Sequence, residues 1–333
     1  MADAFLARSP DARPTPLLDL PNLARSLGVA SLIIKDERRR MGLGSFKALG
    51  AAYAIAKVAG RAIEAGEATD LSGALAGHTF ACASAGNHGL SLAAGAPRYG
   101  ARAVVFVSAT VPGAFITRLE QLGATVIRAG ETYEDSMAMA ERQARVRGWH
   151  LLPDSTWPEM TEPGREVMEG YLIMGEEISR QIPAPPTHVF LQAGVGGLAA
   201  ACSVSARDTW GQEPRIVVVE PEAAPALLAS IEAGRPVFAP GPVSDMGRLD
   251  CKEPSHLALK FLAREADFFV TISDAEATET VAWLAGHGLA TTPSGAAGIA
   301  ALNHATSDPD ALELDSNARV LCYLSEGPEG RSP

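Results

Sequence analysis

The stretch Gly44-Ser45-Phe46-Lys47-Ala48-Leu49-Gly50 places one lysine among small and apolar residues. A lysine normally stays in water, because removing its charge from water costs free energy. In an apolar pocket the pKa of its amine falls, and the neutral amine can form a Schiff base with the carbonyl of a substrate or a cofactor. The alternative is a solvated lysine in the first turn of an ordinary helix.

A glycine-rich loop, Gly194-Val195-Gly196-Gly197-Leu198, lies in mid-chain between a predicted strand and a predicted helix. Glycines let the backbone approach an anion closely, and the first amides of the helix point at that anion, so the loop predicts a phosphate site. A tight structural turn is the alternative. The dinucleotide fingerprint is not met, since the six residues from Gly194 read Gly-Val-Gly-Gly-Leu-Ala, and no Gly-Lys-Ser/Thr follows.

Two further loops carry polar groups that suit a ligand. In Ser84-Ala85-Gly86-Asn87-His88-Gly89, Asn87 can hydrogen-bond a hydroxyl of a cofactor, and the backbone amides can hold a substrate carboxylate. The alternative is that Asn87 and His88 cap a helix. Ser325 directly follows the last predicted strand, where the ligand crevice of an α/β sheet normally lies, and its hydroxyl can donate to a neutral ring nitrogen. A simple turn at the chain end is the alternative there.

The chain alternates short apolar runs with helical stretches, which predicts an α/β fold with parallel-rich sheets flanked by helices. The predicted strands are 31–35, 79–83, 103–107, 125–128, 188–192, 215–219 and 320–324. The predicted helices are 46–65, 90–96, 113–122, 132–147, 198–208, 275–286 and 296–305. We expect two lobes: residues 1–50 with 153–333 as a large cofactor-binding domain, and residues 51–152 as a small, mobile α/β domain.

Composition limits the classes of function. The 333 residues are 47% hydrophobic and 20% charged, as in an ordinary globular protein, and the net charge of −11 argues against nucleic-acid binding. No apolar run is long enough to suggest a membrane helix, and residues 1–10 do not resemble a signal peptide. The four scattered cysteines form no metal-binding or disulfide pattern, so we expect no metal and a reducing, cytoplasmic location.

Taken together and in this order, the motifs resemble the fold-type II pyridoxal-phosphate enzymes, the superfamily of tryptophan synthase β and threonine dehydratase. The resemblance runs from Thr15-Pro16-Leu17 to Gly327 and implies pyridoxal 5'-phosphate as the cofactor. It implies that Lys47 carries the cofactor as a Schiff base and that Asn87 binds its 3'-oxygen. It also implies that residues 194–198 surround the phosphate and that Ser325 faces the pyridine nitrogen.

A closer resemblance is to the diaminopropionate ammonia-lyases. It rests on Lys35-Asp36-Glu37, on Gly42-Leu43 before the lysine stretch, and on Asp154-Ser155-Thr156-Trp157. In that family an aspartate before Gly-Asn-His-Gly and a second one in the Asp-x-x-Trp segment are taken as bases for opposite enantiomers. Here the first position is Ala85, so only Asp154 is retained, and the resemblance does not imply activity on the D-enantiomer.

The resemblance implies a lyase that eliminates ammonia or water from a small polar amino acid to give a 2-oxo acid and ammonia. Lys47 or Asp154 would remove the α-proton, the substrate carboxylate would lie against Ser84, Ala85, Gly86, Asn87 and His88, and the enzyme would be a homodimer. A serine/threonine or 3-hydroxyaspartate dehydratase, a racemase or a β-replacing synthase of the same superfamily is the nearest alternative. A nucleotide-binding oxidoreductase and a catalytically silent binding protein are alternatives from other classes.

Overall fold

The computed structural model describes residues 11–328. These residues form two compact units, which are described one at a time. The first unit comprises residues 11–13, 41–43 and 47–170, and the second comprises residues 14–40, 44–46 and 171–328. The predicted division at residues 51 and 152, and the mobility of the smaller domain, stay predictions. Residues 1–10, on which the absence of a signal peptide was predicted, lie outside the described part.

The strands fall into one sheet in each unit. Their bounds are β1 (Leu17–Asp19), β2 (Ser31–Asp36), β3 (Thr79–Ala83), β4 (Arg102–Val107), β5 (Thr125–Arg128), β6 (His150–Leu151), β7 (His188–Gln192), β8 (Arg215–Pro221), β9 (Phe268–Ile272) and β10 (Arg319–Leu324). The order in the second unit is β1-β2-β10-β7-β8-β9, and in the first it is β5-β4-β3-β6. All neighbouring pairs are parallel except β1 with β2. The predicted α/β architecture with parallel-rich sheets is confirmed.

The helices follow most strands and begin at recognisable signals. Their bounds are α1 (Pro21–Ser26), α2 (Ala48–Glu64), α3 (Asn87–Gly95), α4 (Gly113–Gln121), α5 (Tyr133–Arg147), α6 (Glu162–Gln181), α7 (Gly197–Trp210), α8 (Ala226–Ala233), α9 (His256–Glu265), α10 (Asp274–Gly286) and α11 (Pro293–Ala305). Capping boxes start α5, from Thr132 to Asp135, and α10, from Ser273 to Glu276. Among the described helices, no segment is both long and apolar enough to cross a membrane.

Each unit has its own apolar core. In the second unit, β10 and its neighbours pack against α11, and the run 320–324 is buried throughout, as expected for a strand covered on both faces. In the first unit, β3 and β4 pack against α5. The carboxyl ends of β3 and β7 lead directly into α3 and α7, so each unit presents one loop of the type that binds ligands in parallel sheets.

Candidate active site

Lys47 and Asp154 form an ion pair in the first unit. Lys47 directly precedes α2, and its Nζ donates to Asp154 Oδ2 at 2.7 Å. The side chain of Lys47 is 23% exposed and that of Asp154 is 18% exposed. The structure therefore joins two residues that are far apart in sequence. It also corrects the environment expected for Lys47, because the amine contacts a carboxylate rather than an exclusively apolar wall.

Asp154 is held in its ionised form. Burial disfavours the carboxylate, but the charge of Lys47 and its hydrogen bond outweigh that penalty and keep the pKa of Asp154 well below its ordinary value. At neutral pH the ionised carboxylate of Asp154 therefore lies beside Lys47, within hydrogen-bond distance of its Nζ. That combination suits both general-base chemistry and activation of a nucleophilic lysine.

The turn between β3 and α3 contains the predicted substrate-binding residues. Residues 84–87 are half-buried, and α3 begins at Asn87, three residues earlier than predicted. Gly89 is required by a close approach, since a Cβ there would lie 1.9 Å from the carbonyl oxygen of Ser84. Gly86 is the N-cap of α3 and brings no capping side chain, so the first amides of the helix suit a carboxylate acceptor.

The ring of His88 faces the protein rather than the turn. It is 1% exposed, and its Nε2 lies 2.7 Å from the carbonyl oxygen of Leu152, two residues before Asp154. Burial lowers the pKa of His88, so the ring is neutral and donates from Nε2. His88 thus connects the start of α3 to the segment that carries Asp154.

Ser91 is a site-supporting residue that the sequence analysis missed. It is fully buried on α3, its hydroxyl donates to the carbonyl oxygen of Ala48 at 2.9 Å, and it accepts the amide of Ala52 at 3.2 Å. These bonds fix the first turn of α2, immediately after Lys47. A serine within a run of small residues gives no sequence signal for this role.

The predicted phosphate loop in the second unit joins β7 to α7. Gly196 has a φ of +97°, and α7 starts at Gly197 without a capping side chain from the described residues. A Cβ on Gly194 would lie 3.0 Å from both the Leu249 Cα and the Cys251 Sγ. The loop therefore packs closely on one side, and on the other side no side chain of the described residues caps the first helix amides. This is the cradle that a phosphate group fits.

Ser325 follows β10 and is fixed by a glutamine that the sequence analysis missed. Gln192 is buried at the end of β7, and its Nε2 lies 3.1 Å from the Ser325 Oγ and 3.1 Å from the carbonyl oxygen of Tyr323. The amide nitrogen can only donate, so the Ser325 hydroxyl is the acceptor in this contact. Its own hydrogen is thereby directed to another acceptor, as a bond to an unprotonated ring nitrogen requires.

The segment before Lys47 pairs with the segment after β10. The amide of Phe46 donates to the carbonyl oxygen of Ser325 at 3.0 Å, and that of Gly327 donates to the carbonyl oxygen of Gly44 at 2.9 Å. Glu326 is buried between these bonds, and its Oε1 accepts the Thr292 hydroxyl at 2.6 Å. Residues 44–46 are therefore anchored within the second unit by Ser325 and its neighbours.

The structure thus joins the predicted site residues in two groups. In the first unit, Lys47 contacts Asp154, and His88 contacts the segment that carries Asp154. In the second unit, residues 194–198 and Ser325 lie at the carboxyl ends of the sheet neighbours β7 and β10. Three of the four cysteines, Cys82, Cys202 and Cys322, are buried core residues with free thiols. Burial raises the pKa of Cys202 to about 12.

Comparison with known proteins shows which family this chain resembles. Residues 8–326 match the family model described as pyridoxal-phosphate dependent enzyme. The chain is 31% identical over 349 residues to the diaminopropionate ammonia-lyase of Escherichia coli strain K12, covering 98% of this chain and 87% of that protein. It is 30% identical to the biosynthetic threonine dehydratase 1 of Solanum lycopersicum over 227 residues, which is 68% of this chain and 34% of that protein.

A solved structure gives the same relationship in three dimensions. The E. coli diaminopropionate ammonia-lyase in complex with an aminoacrylate-PLP azomethine reaction intermediate superposes with a TM-score of 0.87. The sequence identity is 29%, and the match covers 98% of this chain and 87% of that one. The similarity therefore extends over almost the whole chain rather than over one motif.

Proposed function

Because this chain belongs to the family of pyridoxal-phosphate dependent enzymes, we propose that it eliminates ammonia from the β-carbon of 2,3-diaminopropionate or a closely similar amino acid. The observation that carries the proposal is the Lys47–Asp154 pair, in which the predicted Schiff-base lysine contacts the acid of the Asp-x-x-Trp segment. The products are a 2-oxo acid and ammonia. When bound, pyridoxal phosphate supplies an electron sink that acidifies the α-hydrogen of an attached amino acid.

The cofactor roles proposed for individual residues follow the family resemblance and agree with the local chemistry. Lys47 Nζ forms the covalent link, and Asn87 binds the 3'-oxygen. The amides of residues 194–198 hold the phosphate, supported by the helix start at Gly197. Ser325 donates its hydroxyl hydrogen to the pyridine nitrogen, supported by the acceptor role that Gln192 imposes on its oxygen.

Proton movement centres on Nζ and Oδ2 of the ion pair. Lys47 must lose a proton before its nitrogen can act as a nucleophile, and Asp154 Oδ2 is 2.7 Å away to receive it. In the elimination, one of these two groups accepts the proton from the substrate α-carbon. The Cβ–N bond then breaks, and the leaving nitrogen departs as ammonia after it is protonated. Water finally replaces the α-nitrogen, so that one 2-oxo acid and two ammonia molecules are formed in total.

The substrate carboxylate is proposed to lie at the start of α3. Ser84 contributes its hydroxyl, Gly86 and Asn87 contribute donors, and the helix N-terminus favours the negative charge. Ala85 brings no carboxylate to this turn, so we propose a preference for the L-enantiomer, with Asp154 as the acid that serves it. His88 contributes through its backbone, since its ring is bonded to Leu152.

A hydroxyamino-acid dehydratase is the second candidate, because the chain is also 30% identical to a threonine dehydratase over part of its length. The chemistry would differ only in the group that leaves the β-carbon. A homodimeric assembly and a cytoplasmic location are likewise proposals, supported by the family resemblance and by the buried thiols at Cys82, Cys202 and Cys322.

The test is an absorbance spectrum of the purified protein, followed by addition of 2,3-diaminopropionate, serine, threonine and 3-hydroxyaspartate as separate enantiomers. Ammonia and 2-oxo acid are both quantified. Diaminopropionate elimination releases two ammonia molecules for each 2-oxo acid, whereas a dehydratase releases one, so the ratio identifies the leaving group. We expect a cofactor band and the higher ratio with the L-diamino acid. A protein that shows no band after addition of pyridoxal phosphate would overturn the proposal.

A further inference from the structure

Glu220 is a fully buried acid near the end of β8 that the proposed mechanism does not use. Its Oε1 accepts the amide of Leu227 at 2.7 Å, and its Oε2 accepts the amide of Leu228 at 2.8 Å. These amides belong to the first turn of α8, whose N-cap, Pro225, supplies no capping side chain. Glu220 therefore satisfies two helix amides that would otherwise lack acceptors.

The same helix turn supports the glycine loop that follows β7. Leu227 is fully buried, and its two δ-methyl groups lie 3.2 and 3.3 Å from the position that a Cβ on Gly196 would occupy. Ala258 of α9 completes this surface at 3.1 Å. Glu220 fixes the backbone of Leu227, and Leu227 in turn packs beneath Gly196. A change at the carboxylate is thereby transmitted to the loop through one side chain.

We infer that Glu220 is a positioning residue for the phosphate-binding loop and that its ionisation couples cofactor affinity to pH. The inference rests on the proposed role of residues 194–198 as the phosphate site. The ionised carboxylate accepts both amides. A protonated carboxyl group accepts one well, but its hydroxyl oxygen is a poor acceptor for the other. The ionised form therefore holds Leu227 against Gly196 more firmly than the protonated form does.

The environment places this titration in the neutral range. Burial raises the pKa of Glu220 to about 7, against the opposing effect of the two amide hydrogen bonds. The nearby charged groups are engaged elsewhere: Glu222 is exposed, and Lys252 binds the carbonyl oxygen of Ala223 and the carboxylate of Asp250. In the sheet, Glu220 is in register with the uncharged Thr271 of β9.

The sign of the effect separates positioning from simple charge repulsion. If Glu220 acts by positioning, affinity for pyridoxal phosphate rises as pH increases through about 7, and binding releases a proton. If its negative charge instead repels the phosphate, affinity falls over the same interval. The cofactor also titrates, so the informative quantity is the ratio of dissociation constants between a Glu220 variant and the wild type.

The experiment measures the dissociation constant of pyridoxal phosphate for the full-length apo-protein between pH 6 and pH 8.5, by tryptophan fluorescence quenching. Glu220→Gln removes the titration and keeps the shape, and Glu222→Gln removes a charge at an exposed neighbour as the control. We expect Glu220→Gln to bind about tenfold more weakly than wild type at pH 8 and about equally at pH 6. Glu222→Gln should follow the wild type throughout.

Leu227→Val tests whether Leu227 transmits the effect of Glu220 to Gly196. It also replaces Glu220→Gln as the test if that variant does not fold. It keeps the carboxylate but loosens the contact beneath Gly196, so it should weaken binding at every pH and reduce the pH dependence that Glu220 imposes through this side chain. This inference alone would be overturned if the ratio of the dissociation constant of Glu220→Gln to that of wild type were the same at every pH, or if it fell as pH rises. A wild-type protein that does not bind pyridoxal phosphate at any pH would overturn the proposed function instead.

Discussion

Two lysines in this protein each contact a carboxylate, in very different surroundings. Lys47 is partly exposed and paired with Asp154, whereas Lys35 on β2 is 0% exposed and 2.6 Å from Glu177. By burial alone, Lys35 is the stronger candidate for a lysine with a lowered pKa. Burial does lower its pKa, partly offset by Glu177 and Glu37.

The difference lies in how completely each amine is satisfied. Lys35 Nζ donates to the carbonyl oxygen of Thr15 and to the side-chain oxygen of Gln181, both at 2.9 Å, in addition to its contact with Glu177. Arg40 joins Glu177 to Glu37, so the buried charges balance within one network. Lys35 has no donor left for a substrate. An accessible amine beside a proton acceptor, rather than burial, marks the reactive lysine.

Replacing Lys47 gives the largest expected effect and tests which lysine is reactive. Lys47→Ala should reduce turnover by at least about 10³-fold, because the covalent link and its nucleophile are lost. Borohydride treatment of wild-type protein followed by peptide mass analysis should find the reduced cofactor on Lys47 alone. Lys57→Ala, in the helix that follows Lys47, is the control and should keep the cofactor. Recovery of the adduct on Lys35 would reverse the comparison.

Replacing Asp154 gives the next largest effect and tests the acid side of the pair. Asp154→Asn should reduce turnover about 10²-fold while the cofactor still binds, because the side chain keeps its shape but cannot accept a proton. Glu159→Gln, nearby in sequence, is the control. Turnover at the wild-type rate would assign the proton transfer to Lys47 or to another group.

The pH dependence of the pair has a defined sign. Since the pKa of Asp154 is held below its ordinary value, the stabilisation from the pair is complete above about pH 4 and is lost as pH falls further. Any decline of turnover between pH 7 and pH 5 therefore belongs to another group, for which Glu220 is the structural candidate. Profiles of wild type and Glu220→Gln, measured at subsaturating and at saturating cofactor, test this assignment, because an effect of Glu220 on cofactor affinity disappears at saturation.

The fold was predictable where strands are continuous apolar runs. All seven predicted strands are present. Of the other three, β1 and β9 are only partly buried, and β6 has only two residues. The long helix α6 was missed because its glycines resemble breaks. Tertiary packing leaves no room for a side chain at these positions. A Cβ on Gly170 would lie 2.8 Å from the carbonyl oxygen of Leu49, and one on Gly175 would lie 2.3 Å from the Ser205 Cβ. Such requirements depend on tertiary neighbours.

The candidate site was predictable only in part. Loop positions such as Gly196 and Ser325 followed from strand-to-loop patterns, and Asp154 came from family resemblance. The supporting residues Ser91, Gln192 and Glu220 carry no local signal, because their roles arise from hydrogen bonds to other elements. A buried acid near the end of a strand, such as Glu220, looks in sequence like any polar residue at a strand end.

Replacing Lys35 should affect catalysis least, and it tests directly whether burial or accessibility marks the reactive lysine. Lys35→Met should lower the free energy of unfolding by about 3 kcal/mol, because the buried Glu177 loses a charged partner, and the Thr15 carbonyl oxygen and the Gln181 side-chain oxygen each lose a hydrogen bond. Turnover per folded molecule and the cofactor band should stay unchanged. Denaturant unfolding and active-site-normalised assays measure the two quantities, and Lys260→Met on the exposed side of α9 should change stability by less than about 0.5 kcal/mol. A stable Lys35→Met protein with lost turnover would show that burial and reactivity coincide after all. A destabilised Lys35→Met protein with unchanged turnover would show that this fold uses Lys47 for chemistry and Lys35 only for stability.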